Sequence, residues 1–143
     1  MKIKDVMTPN VTTVTPATTL EDAAKQMRDL NVGVLPVLEG HKLTGVITDR
    51  DITIRAGSQH WDFAKKTVAD AMSKNPTCCK DTDELENAVH EMEARQIRRL
   101  PVQNAKGDLV GMVSLGDVAL RASHELSGEA LEAISRHGEM AMA

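Results

Sequence analysis

The sequence predicts a mixed α/β (α+β) fold, two β-α-β-β-α repeats packed with pseudo-two-fold symmetry. Three observations predict it. One stretch occurs twice, as Gly45-Val46-Ile47-Thr48-Asp49-Arg50-Asp51 and as Gly111-Met112-Val113-Ser114-Leu115-Gly116-Asp117. The repetition also extends outward: Asn10, Thr12, Leu20, Glu21, Ala23 and Met27 return as Asn75, Thr77, Leu85, Glu86, Ala88 and Met92, and Leu35-Pro36-Val37 returns as Leu100-Pro101-Val102. One residue inserted near Ala105 shifts the alignment, after which Leu43, Gly45, Asp51, Arg55 and Ala56 meet Leu109, Gly111, Asp117, Arg121 and Ala122. Finally, a unit of this size makes a poor core alone, whereas two can bury their sheets against each other. The organisation expected is residues 1–66 as the first repeat with its connector, 67–125 as the second, and 126–143 as a helical tail.

Each element has a local reason. Ile3-Lys4-Asp5-Val6-Met7 and Val68-Ala69-Asp70-Ala71-Met72 read as matching helical turns. Short extended pieces follow, Val11 to Val14 and Thr77 to Cys79. A helix then opens at Thr18, where Thr18-x-x-Glu21 reads as a capping box, and Leu20, Ala23, Ala24 and Met27 recur at helical spacing. In the second copy Asp83 is the expected cap, and Leu85, Ala88, Val89 and Met92 form the stripe. Two strands come next, Val34 to Leu38 and Leu43 to Thr48, joined at Glu39-Gly40-His41. Their counterparts are Leu100 to Gln103 and Leu109 to Ser114, joined at Asn104-Ala105-Lys106-Gly107. Pro36 and Pro101 mark an edge strand or a bulge. A second helix closes each copy, about Arg50 to Ala56 and Gly116 to Ser123. In the connector from Gly57 to Lys66, Trp61 and Phe63 either fold back over an apolar edge or meet a partner. The tail places Leu131, Ala133 and Ile134 in a helix opened by Ser127 and interrupted at Gly138. Two readings of it stand: a loosely docked helix or a subunit contact.

Composition narrows the function. Trp61 and Phe63 are the only aromatic residues, so an aliphatic core with eight methionines as gap-fillers is expected. A net charge of −4 speaks against a nucleic-acid binder, which needs a basic face. No apolar run approaches the roughly 18 residues that span a bilayer, and Met1-Lys2-Ile3-Lys4-Asp5 lacks a signal-peptide core. With the adjacent Cys78 and Cys79 unsuited to a bridge, the cytoplasm is the expected location. The five histidines show no ligand pair at metal spacing and read as surface residues.

The doubled stretch carries the chemistry. A hydroxyl at a strand end, beside the open N–H groups of a following helix, suits a phosphate. A nearby carboxylate can accept hydrogen bonds from the two hydroxyls of a ribose. Thr48 with Asp51, and Ser114 with Asp117, therefore each describe half of a nucleotide site. The plainer readings are helix caps for the aspartates, strand-end residues for the hydroxyls, and a solvated edge for Arg98 and Arg99.

Together these residues resemble a tandem pair of CBS domains, the Bateman module. The match rests on Val6-Met7-Thr8-Pro9, Gly33-Val34-Leu35-Pro36-Val37, Ile97-Arg98-Arg99-Leu100-Pro101-Val102 and the two copies of the doubled stretch, and covers about residues 3–123. It implies a non-catalytic regulatory module of the stand-alone type. Such a module binds AMP, ADP or ATP (sometimes NAD or S-adenosylmethionine) in two clefts between the repeats and signals by conformational change, with no other cofactor. Carried over by residue, one cleft uses Ser114, Gly116, Asp117 and Met112, facing Asn10, Thr12 and Val32-Gly33-Val34. The other uses Thr48, Arg50, Asp51 and Ile47 or Val46, facing Thr77, Cys78, Ile97 and Arg98. Arg99 stands where family members often place a phosphate-binding arginine.

The clefts differ chemically, since Gly33-Val34 in one copy replaces Arg98-Arg99 in the other. Asp49 repels phosphate unless it points to solvent, so the Ser114/Asp117 cleft ranks first. Cys78 is a packing residue or a redox sensor. A homodimer and an effector protein are further implied partners. Two other functions compete. One is a nucleotide hydrolase, for which no repeated His–carboxylate cluster or P-loop is found; the other is an assembly module with vestigial clefts.

Overall fold

The computed structural model describes residues 1–121 and 128–136. The chain runs through a 3₁₀ turn (Ile3–Asp5), β1 (Thr8–Pro9), α1 (Leu20–Leu30), β2 (Val34–Glu39), β3 (Lys42–Thr48) and α2 (Asp49–Asp51). A π-helical turn (Ile52–Gly57), α3 (Val68–Ala71), β4 (Ser73–Lys74), β5 (Cys79–Lys80), α4 (Leu85–Arg95), β6 (Arg99–Gln103), β7 (Leu109–Ser114) and α5 (Leu115–Arg121) follow. Residues 128–136 are also helical. The fold is mixed α+β with two sheets, as the patterning predicts, one ordered β1-β7-β6-β5 and the other β2-β3-β4.

The compact units do not follow the sequence repeat. Met1–Val11 belongs with the chain from Thr77 onward, and Thr12–Pro76 forms the other unit. A division at 66/67 follows the repeat in the sequence, whereas the compact units place α3 and β4 with Thr12–Pro76 and the first turn and β1 with the chain from Thr77 onward. Two glycines permit the arrangement. Pro9 pairs with Gly111 and Lys74 with Gly45. A Cβ on Gly111 would lie 2.6 Å from the Thr8 carbonyl oxygen, and one on Gly45 2.6 Å from that of Ser73. Only glycine admits so close a backbone. Each exchanged turn is also held by an arginine: Arg121 Nη1 donates to Val6 O (3.2 Å), and Arg55 Nη1 to Ala71 O (2.7 Å) and Met72 O (3.1 Å).

In the Thr12–Pro76 unit, α1 starts one residue later than its sequence suggests. Thr19 is the cap, its hydroxyl accepting from Asp22 N at 3.1 Å, while Thr18 Oγ1 accepts from Thr15 N. Leu20, Ala23 and Met27 then face a core of Val14, Leu35, Val37, Ile47, Ile52 and Val68. Trp61 and Phe63 pack against that core, with Lys66 Nζ 5.1 Å from the Trp61 ring centre. The connector is pinned there by Glu21 N donating to Phe63 O and Leu20 N to Lys66 O. Pro36 lies on the edge strand β2, whose register shifts just after Val37.

In the other unit the cap of α4 is Glu84, not Asp83, whose carboxylate instead accepts from Lys80 N at 3.0 Å. Leu85, Ala88, Val89 and Met92 are buried with Ile3, Leu100, Val102, Val113 and Val118. Pro101 sits in the interior strand β6, whose register shifts just after Val102 as that of β2 does after Val37, and β5 pairs only with Val102 and Gln103. Ala130 and Ile134 join this core, so the C-terminal helix is docked, with Leu131 54% exposed. The expectations for Ser127, Gly138 and the second-helix end at Ser123 fall outside the described residues.

Candidate functional site

The two hydroxyl–aspartate pairs are reciprocal capping boxes. In one unit Thr48 N donates to Asp51 Oδ2 (3.0 Å) and Asp51 N to Thr48 Oγ1 (3.0 Å). In the other, Ser114 N donates to Asp117 Oδ2 (2.9 Å) and Asp117 N to Ser114 Oγ (3.0 Å). The hydroxyl residue is thus the cap, and the aspartate sits three positions into the turn rather than at the cap itself. Each box satisfies two backbone N–H groups and holds its carboxylate in one rotamer. The hydroxyl keeps its own proton to donate, and the carboxylate keeps Oδ1. Asp117 Oδ1 has no hydrogen bond within the described residues, whereas Asp51 Oδ1 lies 3.8 Å from Arg55 Nη2.

Strand alternation decides what surrounds each box. In the unit built on β6 and β7, Arg99 pairs with Ser114 and Pro101 with Met112, so these four side chains share one face. Leu100 and Val113 point oppositely, into the core. Leu115 N donates to Arg98 O at 2.8 Å, which ties Arg98 to the start of α5. Arg98, Arg99, Met112, Ser114, Gly116 and Asp117 are therefore brought together within one unit, with both arginines exposed. Asn10 belongs to the same unit, at φ 53° just past β1. A Cβ on Gly116 would meet only Ser114 Oγ at 3.5 Å, so packing within the unit does not require the glycine.

The Thr12–Pro76 unit repeats the frame with other side chains. Val34 pairs with Thr48 and Pro36 with Val46. Ile47 is a correction to the sequence reading. It is fully buried in the core opposite Leu35, and Val46 shares the face of Thr48. Asp49 N donates to Gly33 O, as Leu115 N does to Arg98 O. The exposed Asp49 carboxylate lies against Gly33, where an added Cβ would come within 3.2 Å of Oδ2, and its Oδ1 accepts from Arg50 N. Arg50 is exposed and, with Asp49, Thr53 and Ile54, lines an open depression of about 320 Å³. Thr12 and Val32 are exposed, and Val34 is half-buried.

Of the remaining candidates, Thr77 and Cys78 are half-buried, and Ile97 packs against the core of its own unit. Burial pushes the Cys78 thiol up, and the Cys79 thiol up to about 12 with help from Asp83. Both stay protonated near neutrality, which is poor ground for a redox sensor. Arg55, which the hydroxyl–aspartate pattern does not include, belongs to the Thr48/Asp51 box, and its place four residues beyond Asp51 and its return as Arg121 are the sequence signals for it. Among the described residues no group of three or more His, Cys, Asp or Glu is placed to hold a metal. Nor is any helix among them long and apolar enough to cross a membrane.

The CBS-domain family model matches residues 3–56 and again 68–124. The chain belongs to the CBS-domain family. It is 42% identical over 134 residues to the CBS domain-containing protein YhcV of Bacillus subtilis strain 168, covering 93% of this chain and 94% of YhcV. A crystal structure of CBSX2 in complex with AMP matches this CBS pair with a TM-score of 0.73 at 31% identity, covering 83% of this chain and 93% of CBSX2. Inosine-5'-monophosphate dehydrogenase of Methanocaldococcus jannaschii is 32% identical over 124 residues, which is 86% of this chain but 24% of the enzyme.

Proposed function

We propose that this CBS pair is a non-catalytic regulatory module that binds an adenine nucleotide and passes its occupancy to an effector protein by conformational change. The observation that carries the reading is the Ser114/Asp117 box. A fixed carboxylate whose second oxygen has no partner among the described residues can accept from ribose, and a hydroxyl donor with Arg99 directly across on the paired strand can hold phosphate. Binding of AMP by the similar CBSX2 supports the class of ligand. The Thr48/Asp51 box ranks second, because Val34 replaces the arginine and Asp51 already faces Arg55.

A homodimer is part of the reading. Ile54 and Leu120 occupy equivalent places in the repeat and are 49% and 85% exposed, so each unit offers an apolar side chain to a second copy.

The experiment is a thermal-shift series with AMP, ADP, ATP, NAD and S-adenosylmethionine, followed by calorimetry. A ligand that binds the native state raises the melting temperature. A rise with at least one of them is expected. No shift with any sinks the sensor reading and leaves the pure assembly module, and conversion of ATP to ADP or AMP by the purified protein would sink the non-catalytic one.

A further inference from the structure

We infer that Gln96 is a releasable clasp that holds the C-terminal helix, and that its closure is coupled to the ligand at Arg98 and Arg99. The coupling half rests on the nucleotide reading above; the clasp does not. Gln96 ends α4 in the left-handed conformation, at φ 55°. Its side-chain Nε2 donates to Glu93 O (2.7 Å), in the last turn of α4, and to Ala133 O (3.1 Å), in the helix of residues 128–136. One amide thus ties two helices together. Both neighbours are carbonyls, so the amide nitrogen must face them. Among the described residues, the buried Oε1 has no hydrogen-bond partner.

The repeat supplies an internal control. The equivalent residue in the Thr12–Pro76 unit is Asn31, at φ 54°, ending α1 with the same backbone bonds. Asparagine tolerates the left-handed region well; glutamine is not among the residues enriched there. The longer amide therefore stands where a shorter one fits the backbone better. It reaches Ala133, while no hydrogen bond from the Asn31 side chain is found among the described residues. The cost of the strained backbone and the orphaned Oε1 sets against the two bonds made, which leaves the clasp weak enough to open.

Its position supplies the coupling. Gln96 is followed directly by Ile97, Arg98 and Arg99. Ile97 packs against the same core that buries Ala130 and Ile134. A phosphate held by the arginines fixes the backbone from which the clasp projects, so ligand and docked helix favour each other. Linkage makes the effect reciprocal.

Hydrogen exchange on the full chain tests both halves. Gln96→Gly removes the amide and relieves the left-handed strain. It should speed exchange across residues 130–136 about tenfold while peptides from β6 and β7 keep their protection. Unchanged exchange in that helix overturns the clasp. If the sheet peptides accelerate as well, Gln96→Asn, which keeps an amide but is one methylene short of Ala133, takes its place with the same expectation. AMP should slow exchange at residues 130–136 in the parent protein, and the slowing should vanish in the variant. AMP that raises the melting temperature yet leaves the helix unchanged overturns the coupling. Failure of AMP, ADP and ATP alike to raise it removes the nucleotide reading and the coupling with it, while the variant's exchange still decides the clasp.

Discussion

Asp117→Asn separates the two jobs that the carboxylate performs. One oxygen accepts from Ser114 N at 2.9 Å and closes the capping box; the other has no hydrogen bond within the described residues. An asparagine keeps an oxygen for the cap but offers an N–H₂ group where the second oxygen stood. Its cost to folding is mainly the lost attraction between a negative charge and the helix N-terminus, about 0.3–1 kcal/mol. For a chain of this size that is a fall of about 1–4 °C in Tm. The cost to binding is larger, because a ribose hydroxyl loses a charged acceptor, about 1.5–3 kcal/mol. That corresponds to roughly 10- to 150-fold in Kd. Calorimetric titration with the nucleotide found by the thermal screen, beside a melting curve for each protein, reads both numbers. Asp117→Ala should also lose the bond from Ser114 N that closes the box, adding about 1 kcal/mol of instability. Binding by Asp117→Asn within twofold of the parent refutes the role, and loss of all binding in Asp51→Asn instead reverses the ranking of the two boxes.

Three further outcomes follow from the geometry. Arg99→Ala should weaken AMP about tenfold while leaving adenosine unchanged, since the guanidinium across from Ser114 serves only the phosphate; equal losses for both ligands in parallel titrations would contradict it. Gly111→Ala drives a methyl into the Thr8 carbonyl at 2.6 Å and should cost about 3 kcal/mol or more in denaturant unfolding, as should Gly45→Ala against Ser73. The Cys79 thiol gives a pH dependence whose sign is fixed. Its folded pKa is raised from 9.0 to about 12, so between those values the unfolded chain has released the proton that the folded chain still holds. The unfolded state then binds fewer protons, and stability falls as pH rises from about 9 to about 12. Cys79→Ala should flatten that part of the curve in urea melts taken along the pH series.

Much of this architecture is legible in the residues. The hairpins are written in Leu35, Val37, Ile47 and their counterparts, whose alternation meets glycine-bearing turns. The hydroxyl–aspartate pairs stand out because they occur twice. Alternation also held the means to choose Val46 over Ile47, since residues paired with Leu35 must share its buried face. The caps fall one residue later because Thr18 and Thr19 are both chemically able to serve and only the chain's approach to the helix selects between them, while the Asp83 carboxylate is taken by Lys80 N and Glu84 holds the cap position with no side-chain cap bond. The exchange of β1 and β4 was hidden for a different reason. Two-residue strands carry no period, and the decisive signal is the missing side chain at Gly45 and Gly111, which a sequence shows equally for any turn. The π-helical turn at Ile52–Gly57, opposite the regular α5, was likewise unmarked by composition.

That exchange has a practical consequence for anyone who divides the gene. Scissors placed between residues 66 and 67 yield two fragments, each deprived of its own border strand and burdened with one that belongs elsewhere. Neither has a complete sheet to present, and sticky edges of that kind recruit whatever backbone they meet. The span with all its own parts is 12–76, and its complement is a chain whose first eleven residues must be stitched back onto position 77. Evolution duplicated a sequence, but the object that folds was cut from a different pattern.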